Sequence, residues 1–143
     1  MEYKGNIIDF KNRKFYVGKI TVQNGKIENI TKIKPDIDDS LSFILPGLID
    51  AHVHIESSMV TPQYFGRHVA KFGTIGVVTD PHEISNVCGK AGFEYMYNEA
   101  QYSPVNIYFG VPSCVPATPF ESSGAVFDPD TIDQLFQNYN TVA

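Results

Sequence analysis

Read for apolar and polar positions alone, the chain changes period near residue 43. The first forty residues alternate over short distances. Ile7–Phe10, Phe15–Val22 and Lys26–Ile33 are strand-like runs, and Asn24-Gly25 between the last two is a strong hairpin signal. Ile20, Val22, Ile27 and Ile30 are the expected inward positions, and Pro35–Ser40 is an acidic loop. From Phe43 onward, strand-like and helix-like patterns take turns. Leu48–Ile55 is an apolar run broken by Asp50, His52 and His54. Thr61-Pro62 opens a helix whose apolar face is Tyr64, Phe65, Val69 and Phe72, and Gly73 stops it. Ile75–Thr79 is a second strand. A helix over Lys90–Tyr102 carries Phe93, Met96, Tyr97 and Ala100 at i, i+3, i+4, i+7. Val105–Val111 is a third strand. Asp128-Pro129 caps a last helix with Ile132, Leu135, Phe136 and Tyr139 on one side.

Strands alternating with helices argue a parallel sheet made of βα units, hence an α/β fold. The expected division is 1–42 for the β segment and 43–143 for three βα units. Thr141–Ala143 falls where a fourth strand would start. A closed eight-stranded α/β barrel takes about 250 residues, so the pattern reads as the N-terminal part of a longer protein, incomplete as given.

The candidate chemistry sits where the strands end. On a regular strand, residues two apart share a face. Asp50, His52, His54 and Glu56 would then project together with Leu48, while Ile49, Ala51, Val53 and Ile55 pack behind. Imidazoles and carboxylates converging at a strand end suit a divalent metal such as zinc, iron or manganese. Asp80, His82 and Glu83 follow the second strand, and Ser113, Cys114 and Glu121 follow the third. Active residues of α/β barrels occupy just these positions.

Composition narrows the field. The chain has 143 residues with 43% apolar and 19% charged content, which fits a core-forming globular chain. Residues 1–34 hold eight Lys or Arg against three acids, whereas the remainder is acidic, and the net charge is −5. The basic residues are interspersed with apolar ones and form no run, so nucleic acid is not an expected partner. No signal peptide and no run of membrane-spanning length is present. Cys88 and Cys114 fit neither a zinc motif nor a disulfide framework, so a reducing, cytoplasmic setting is expected.

Pro46-Gly47-Leu48-Ile49-Asp50-Ala51-His52-Val53-His54 resembles the first barrel strand of the amidohydrolase superfamily. Its continuation Ile55-Glu56-Ser57-Ser58 narrows the resemblance to the adenine deaminase family. So do Thr79-Asp80-Pro81-His82-Glu83-Ile84 and Val111–Glu121. The resemblance covers the chain from about Gly18 to its end. It implies the start of a (β/α)8 barrel preceded by part of a small β-sandwich, a binuclear centre with His52 and His54 as metal ligands, and manganese or iron as the metal, with zinc possible. The implied chemistry lowers the pKa of bound water so that hydroxide attacks carbon 6 of adenine, releasing ammonia and giving hypoxanthine. The family pattern also takes a carboxylate from strand four, histidines from later strands and a late aspartate, none of which this chain holds. The piece by itself is therefore expected to be inactive and to bind metal weakly or not at all; whether the complete enzyme is a homo-oligomer stays open in the sequence.

Other roles stay open. Asp50 is expected to support a metal-binding histidine through its ring nitrogen or a nearby amide. His82-Glu83 is open between an accessory metal, substrate orientation, a hydrogen bond to a ligand and simple capping of a loop. Glu121 is open between facing the purine and facing solvent. His68 reads as helix surface or helix packing, and Cys114 as a structural thiol. His54-Ile55-Glu56 matches the His-x-Glu of zinc nucleobase deaminases, but their Pro-Cys-x-x-Cys is missing. Alternatives to the deaminase are another amidohydrolase acting on a cyclic amide or aminopurine, and a non-catalytic scaffold.

Overall fold

A computed structural model describes residues 1–142, and the chain divides into two compact units, Met1–Pro46 and Gly47–Ala143. The fold is mixed α/β.

The first unit is a four-stranded sheet. Strands β1 (Glu2–Asp9), β2 (Lys14–Gln23), β3 (Lys26–Lys34) and β4 (Phe43–Ile44) lie in the order β3-β2-β1-β4. β1 and β2 pair antiparallel without a break from Glu2↔Thr21 to Asp9↔Lys14. The turn from β2 to β3 has both central residues at positive φ, Asn24 at 52° and Gly25 at 73°. Asn-Gly supplies the type I′ geometry that matches strand twist. β4 pairs with β1 in parallel, which places Phe43 and Ile44 in this unit.

Ile7, Val17 and Ile20 are its buried apolar residues. Ile27 and Ile30, expected to face inward, are 62% and 45% exposed. β3 has β2 as its one sheet neighbour and is exposed along its whole length. A residue the apolar pattern does not single out organises the return of the chain. Asn6 is fully buried, and its side-chain amide donates to the carbonyls of Asp38 and Leu41 at 2.9 and 2.8 Å. Its Oδ1 accepts from the Asp38 amide at 2.9 Å. One asparagine thus satisfies three backbone groups of the acidic loop, which would otherwise be left unpaired at high cost.

The second unit is a parallel three-stranded sheet, β5 (Leu48–Val53), β6 (Thr74–Thr79) and β7 (Asn106–Phe109), in that order. Helices α1 (Pro62–Val69), α2 (His82–Cys88), α3 (Lys90–Ala100) and α4 (Pro129–Asn138) run between and after the strands. The core lies between sheet and helices: Ile55, Val77, Phe93, Met96, Phe109, Val111 and Leu135. Phe93 is its centre, with ring centroids 5.9 Å from Phe109 and 5.3 Å from Tyr139, both edge-on. Edge-to-face stacking adds about 0.5–1.5 kcal/mol per pair to the burial itself. Asp128 caps α4 by accepting the Thr131 amide at 2.8 Å, and Pro129 occupies its first turn. Thr61, by contrast, starts α1 without a side-chain cap. The chain returns beside β7 through a single parallel bridge, Phe109↔Thr141.

Several sequence expectations are corrected here. His82 and Glu83 are not in a loop: they open α2, which ends at Gly89 (φ 62°) before α3 begins. Gly92 lets the two helices approach, because a Cβ there would lie 2.7 Å from the Ile84 carbonyl oxygen. β7 is shorter than Val105–Val111, and Tyr139 lies just beyond α4. Most consequential, β5 does not alternate regularly to Glu56. It stops at Val53, and its register with β6 slips between Leu48 and Ile49 and again between Asp50 and Val53. Ile49 and Ala51, expected to pack behind the strand, are exposed, because the core does not reach them. No helix among the described residues is long and apolar enough to cross a membrane.

Candidate metal centre

The slip in β5 re-aims the side chains that follow it. Asp50 pairs with Val77 and Val53 with Thr79, so three steps on β5 oppose two on β6. Such an extra residue bends a strand and redirects side chains, and it is common beside active sites. Here it brings two imidazoles together although His54 is already outside the strand. His52 Nε2 and His54 Nε2 are 3.1 Å apart, and the rings meet edge-on at 4.8 Å between centroids. His82, from the start of α2, stands edge-on to His54 at 4.6 Å.

The second nitrogen of His54 is 2.6 Å from the Asp80 carbonyl oxygen. A carbonyl can only accept, so Nδ1 carries the proton and neutral His54 has its lone pair on Nε2. That lone pair faces His52. Asp50 lies at the foot of the pair, its Oδ1 accepting the His52 amide at 3.1 Å. Asp80 Oδ2 is 3.3 Å from His82 Nδ1, a carboxylate–imidazole pair at the mouth of β6.

A second group of contacts joins the turn after β5 to α2. Glu56 lies in a 3₁₀ turn, Glu56–Ser58, and its Oε1 accepts the Glu83 amide at 3.1 Å. The Ser57 hydroxyl donates to Glu83 Oε1 at 2.8 Å. Glu83 Oε2 lies 3.8 Å from His54 Nδ1. Burial pushes the Glu56 carboxyl above its ordinary range, and neighbouring Glu83 pushes it further the same way. Burial is also the largest influence on Glu83 and acts upward. The Ser57 hydroxyl, Glu56 and the neighbouring imidazoles of His54 and His82 together outweigh it and leave Glu83 below its ordinary range.

The residues fit a divalent cation. His54, Asp80 and His82 offer ligand atoms all within 4.8 Å of one another, and so do His54, Glu56 and Glu83. Glu56 Oε2 and Asp80 Oδ1 are buried oxygens without a hydrogen-bond partner. Buried carboxylate oxygens left bare beside imidazole nitrogens are the hard and borderline donors that manganese, iron or zinc takes.

Glu121 is not brought into this constellation: it is exposed and in neither ligand group among the described residues. Cys114 is half-buried, and burial, then the charges of Asp80 and Glu121, push its thiol up, which keeps it protonated and unreactive. His68 packs on Phe72 at 5.4 Å along α1. Two contributors escape a reading of the sequence. The Asp80 backbone carbonyl has no residue-type signature, and Ser57 looks like any serine in a turn. Asn86 is a third: its amide donates to the carbonyls of His82 and Cys114 at 2.9 and 3.1 Å, joining α2 to the segment after β7.

Residues 43–141 match the model of the amidohydrolase family. The chain is similar to an adenine deaminase of Methanosarcina mazei, 53% identical over 134 residues, which is 94% of this chain and 24% of that protein. An adenine deaminase of Parabacteroides distasonis is 49% identical over 134 residues, again 94% and 24%. One of Methanosphaera stadtmanae is 46% identical over 143 residues, 100% of this chain and 26% of that protein. The chain thus spans about a quarter of the length of the curated relatives it matches.

Proposed function

The chain belongs to the amidohydrolase family, and from that premise we propose that the whole protein is a metal-dependent adenine deaminase. It converts adenine and water to hypoxanthine and ammonia. The observation that carries the metal chemistry is the pair of Nε2 atoms 3.1 Å apart at the end of β5. The names of the relatives support the substrate. In this reading the parallel sheet β5-β6-β7 is the start of a (β/α)8 barrel, and the first unit is part of a β-sandwich.

His52 and His54 hold a divalent cation through Nε2, in a binuclear centre that takes manganese or iron. Such a cation makes water acidic enough to act as a nucleophile near neutral pH. The remaining work belongs to side chains. Asp50 holds the His52 backbone, and the Asp80 carbonyl orients His54. The Asp80 carboxylate, 3.3 Å from His82 Nδ1, orients that imidazole at the start of α2. His52 and His54, the two ligands assigned here, are fewer than the three protein ligands that catalytic zinc ordinarily has, and the rest of the whole protein supplies the others needed for turnover.

The test is an assay of the whole protein, loaded with manganese or iron, against adenine, other aminopurines and cyclic amides. Release of ammonia from adenine above all others is expected. Preference for a cyclic amide, or no turnover of any compound, would overturn the proposal.

A further inference from the structure

Helix α2 begins after Pro81, which offers no side-chain acceptor for the first amides of the helix. Those amides are left without partners inside the helix and must be satisfied from elsewhere. The acceptor comes from a distant part of the chain, the Glu56 carboxylate at 3.1 Å from the Glu83 amide nitrogen. Ser57 closes the link in the other direction, donating to the Glu83 carboxylate at 2.8 Å. The turn carrying Glu56 and Ser57 is itself tied to the metal-binding segment, because the Ser57 amide donates to the His54 carbonyl at 3.2 Å. The far side of the same link carries Asp80, two residues ahead of α2, whose carbonyl takes the ring proton of His54. His54 is therefore anchored by its backbone on one side of the fastening and by its ring on the other.

We propose that Glu56 is a positioning residue: by accepting the Glu83 amide it fixes the Asp80 carbonyl against His54, and so keeps the proton of His54 on Nδ1 and its lone pair on Nε2. This rests on reading His52 and His54 as cation ligands, and it gives Glu56 a role through Oε1 and the Glu83 amide, in place of the direct donor role that its bare Oε2 also offers. When the Glu56 bond is lost, the Ser57–Glu83 bond and the Asp80 amide on the Val53 carbonyl at 3.3 Å are left to hold the two sides together, and the 2.6 Å contact lengthens. His54 then samples both tautomers. A ligand that is correct for only part of the time binds in proportion to that fraction. Loss of such outer contacts lowers metal affinity by about 10–100-fold.

The experiment uses the cation-free, ¹⁵N-labelled chain, with the His54 tautomer read from two-bond ¹H–¹⁵N spectra. The zinc ion alone, titrated against a chromophoric chelator, gives affinity. In the unsubstituted chain His54 is expected as the single Nδ1–H form. Glu56→Ala should show a mixture of tautomers and a loss of zinc affinity of about 10–100-fold. Glu56→Gln keeps an oxygen that accepts the amide, so it should retain the tautomer and most of the affinity. An unchanged tautomer in Glu56→Ala overturns the proposal. So does Glu56→Gln losing as much affinity as Glu56→Ala with the tautomer intact, since the carboxylate would then be touching the cation. Should Glu56→Ala fail to fold, Glu56→Met, which keeps the length of the side chain without an oxygen to accept the amide, decides: a mixed tautomer supports the proposal, an unmixed one refutes it. Absence of zinc binding in the unsubstituted chain would sink the metal reading, while the tautomer comparison still tests the role of Glu56.

Discussion

Replacing Gly92 by Ala sets two effects against each other, and the structure decides between them. Ala is the better helix former by about 0.8–1.0 kcal/mol, and Gly92 is inside α3. Its Cβ, however, would stand 2.7 Å from the Ile84 carbonyl oxygen and 3.1 Å from its carbon. Ordinary contact begins at 3.4 Å, so α2 has to retreat by about 0.7 Å. Both of those atoms are backbone, and no rotamer change relieves them. Overpacking of this kind costs about 1–3 kcal/mol. The net expectation is a loss of up to about 2 kcal/mol, with Tm falling about 4–8 °C per kcal/mol for a domain of about this size. The retreat also opens the bond between Glu56 and the Glu83 amide, already 3.1 Å long, so zinc affinity should fall together with stability. Thermal unfolding followed by circular dichroism and zinc titration of the same samples provide the assay. Asn98→Ala, on the exposed side of the same helix, serves as the control. If Gly92→Ala were as stable as the control, or lost stability with zinc affinity intact, the link between helix spacing and the site would be wrong.

Asp38 gives a pH prediction. Its carboxyl is held down to about 2 by the Ser40 hydroxyl, Lys34 and the Ser40 amide. A folded-state pKa below the unfolded value contributes stability that is present above the ordinary value of 3.8 and lost as pH falls through 2. The gap in denaturation midpoint between the native chain and Asp38→Asn should therefore close between pH 4 and pH 2; a constant gap refutes the assignment. Gly25→Val forces a branched side chain into positive φ and should cost the first unit about 1–2 kcal/mol in urea denaturation. The chain by itself should turn over no adenine even with manganese present, and His54→Ala should abolish its residual zinc binding; ammonia release by the isolated chain would contradict the ligand count.

What the sequence made legible follows the range of the interactions involved. The Asn24-Gly25 turn, the Pro62 start of α1 and the Asp128 cap of α4 are settled within a few residues, and local patterning reads them. So is the 3.6-residue spacing of Phe93, Met96 and Ala100. The meeting of His52 and His54 was legible in outcome but not in cause. Simple alternation predicts one face, whereas a slipped register and a bend beyond Val53 bring the rings together. α2 was hidden because its cap is supplied from Glu56 rather than from its own neighbourhood, so Pro81-His82-Glu83 looks like a loop. The inward placement of Ile27 and Ile30 failed for a related reason: alternation identifies a face but not whether anything lies against it. Asn6 shows the converse, a polar residue buried because three backbone groups of a later loop require it.

The bare flank of β5 has a practical consequence. Leu48 and Ile49 are 58% and 63% exposed on a strand with one side of its hydrogen-bonding ladder open. At high concentration such an edge templates strands from other copies and leads to precipitation. The handling of this chain in the test tube is thus governed by its stickiness before its chemistry. A single lysine in place of Ile49, three residues ahead of His52 on the same strand, should blunt that flank and keep concentrated preparations clear.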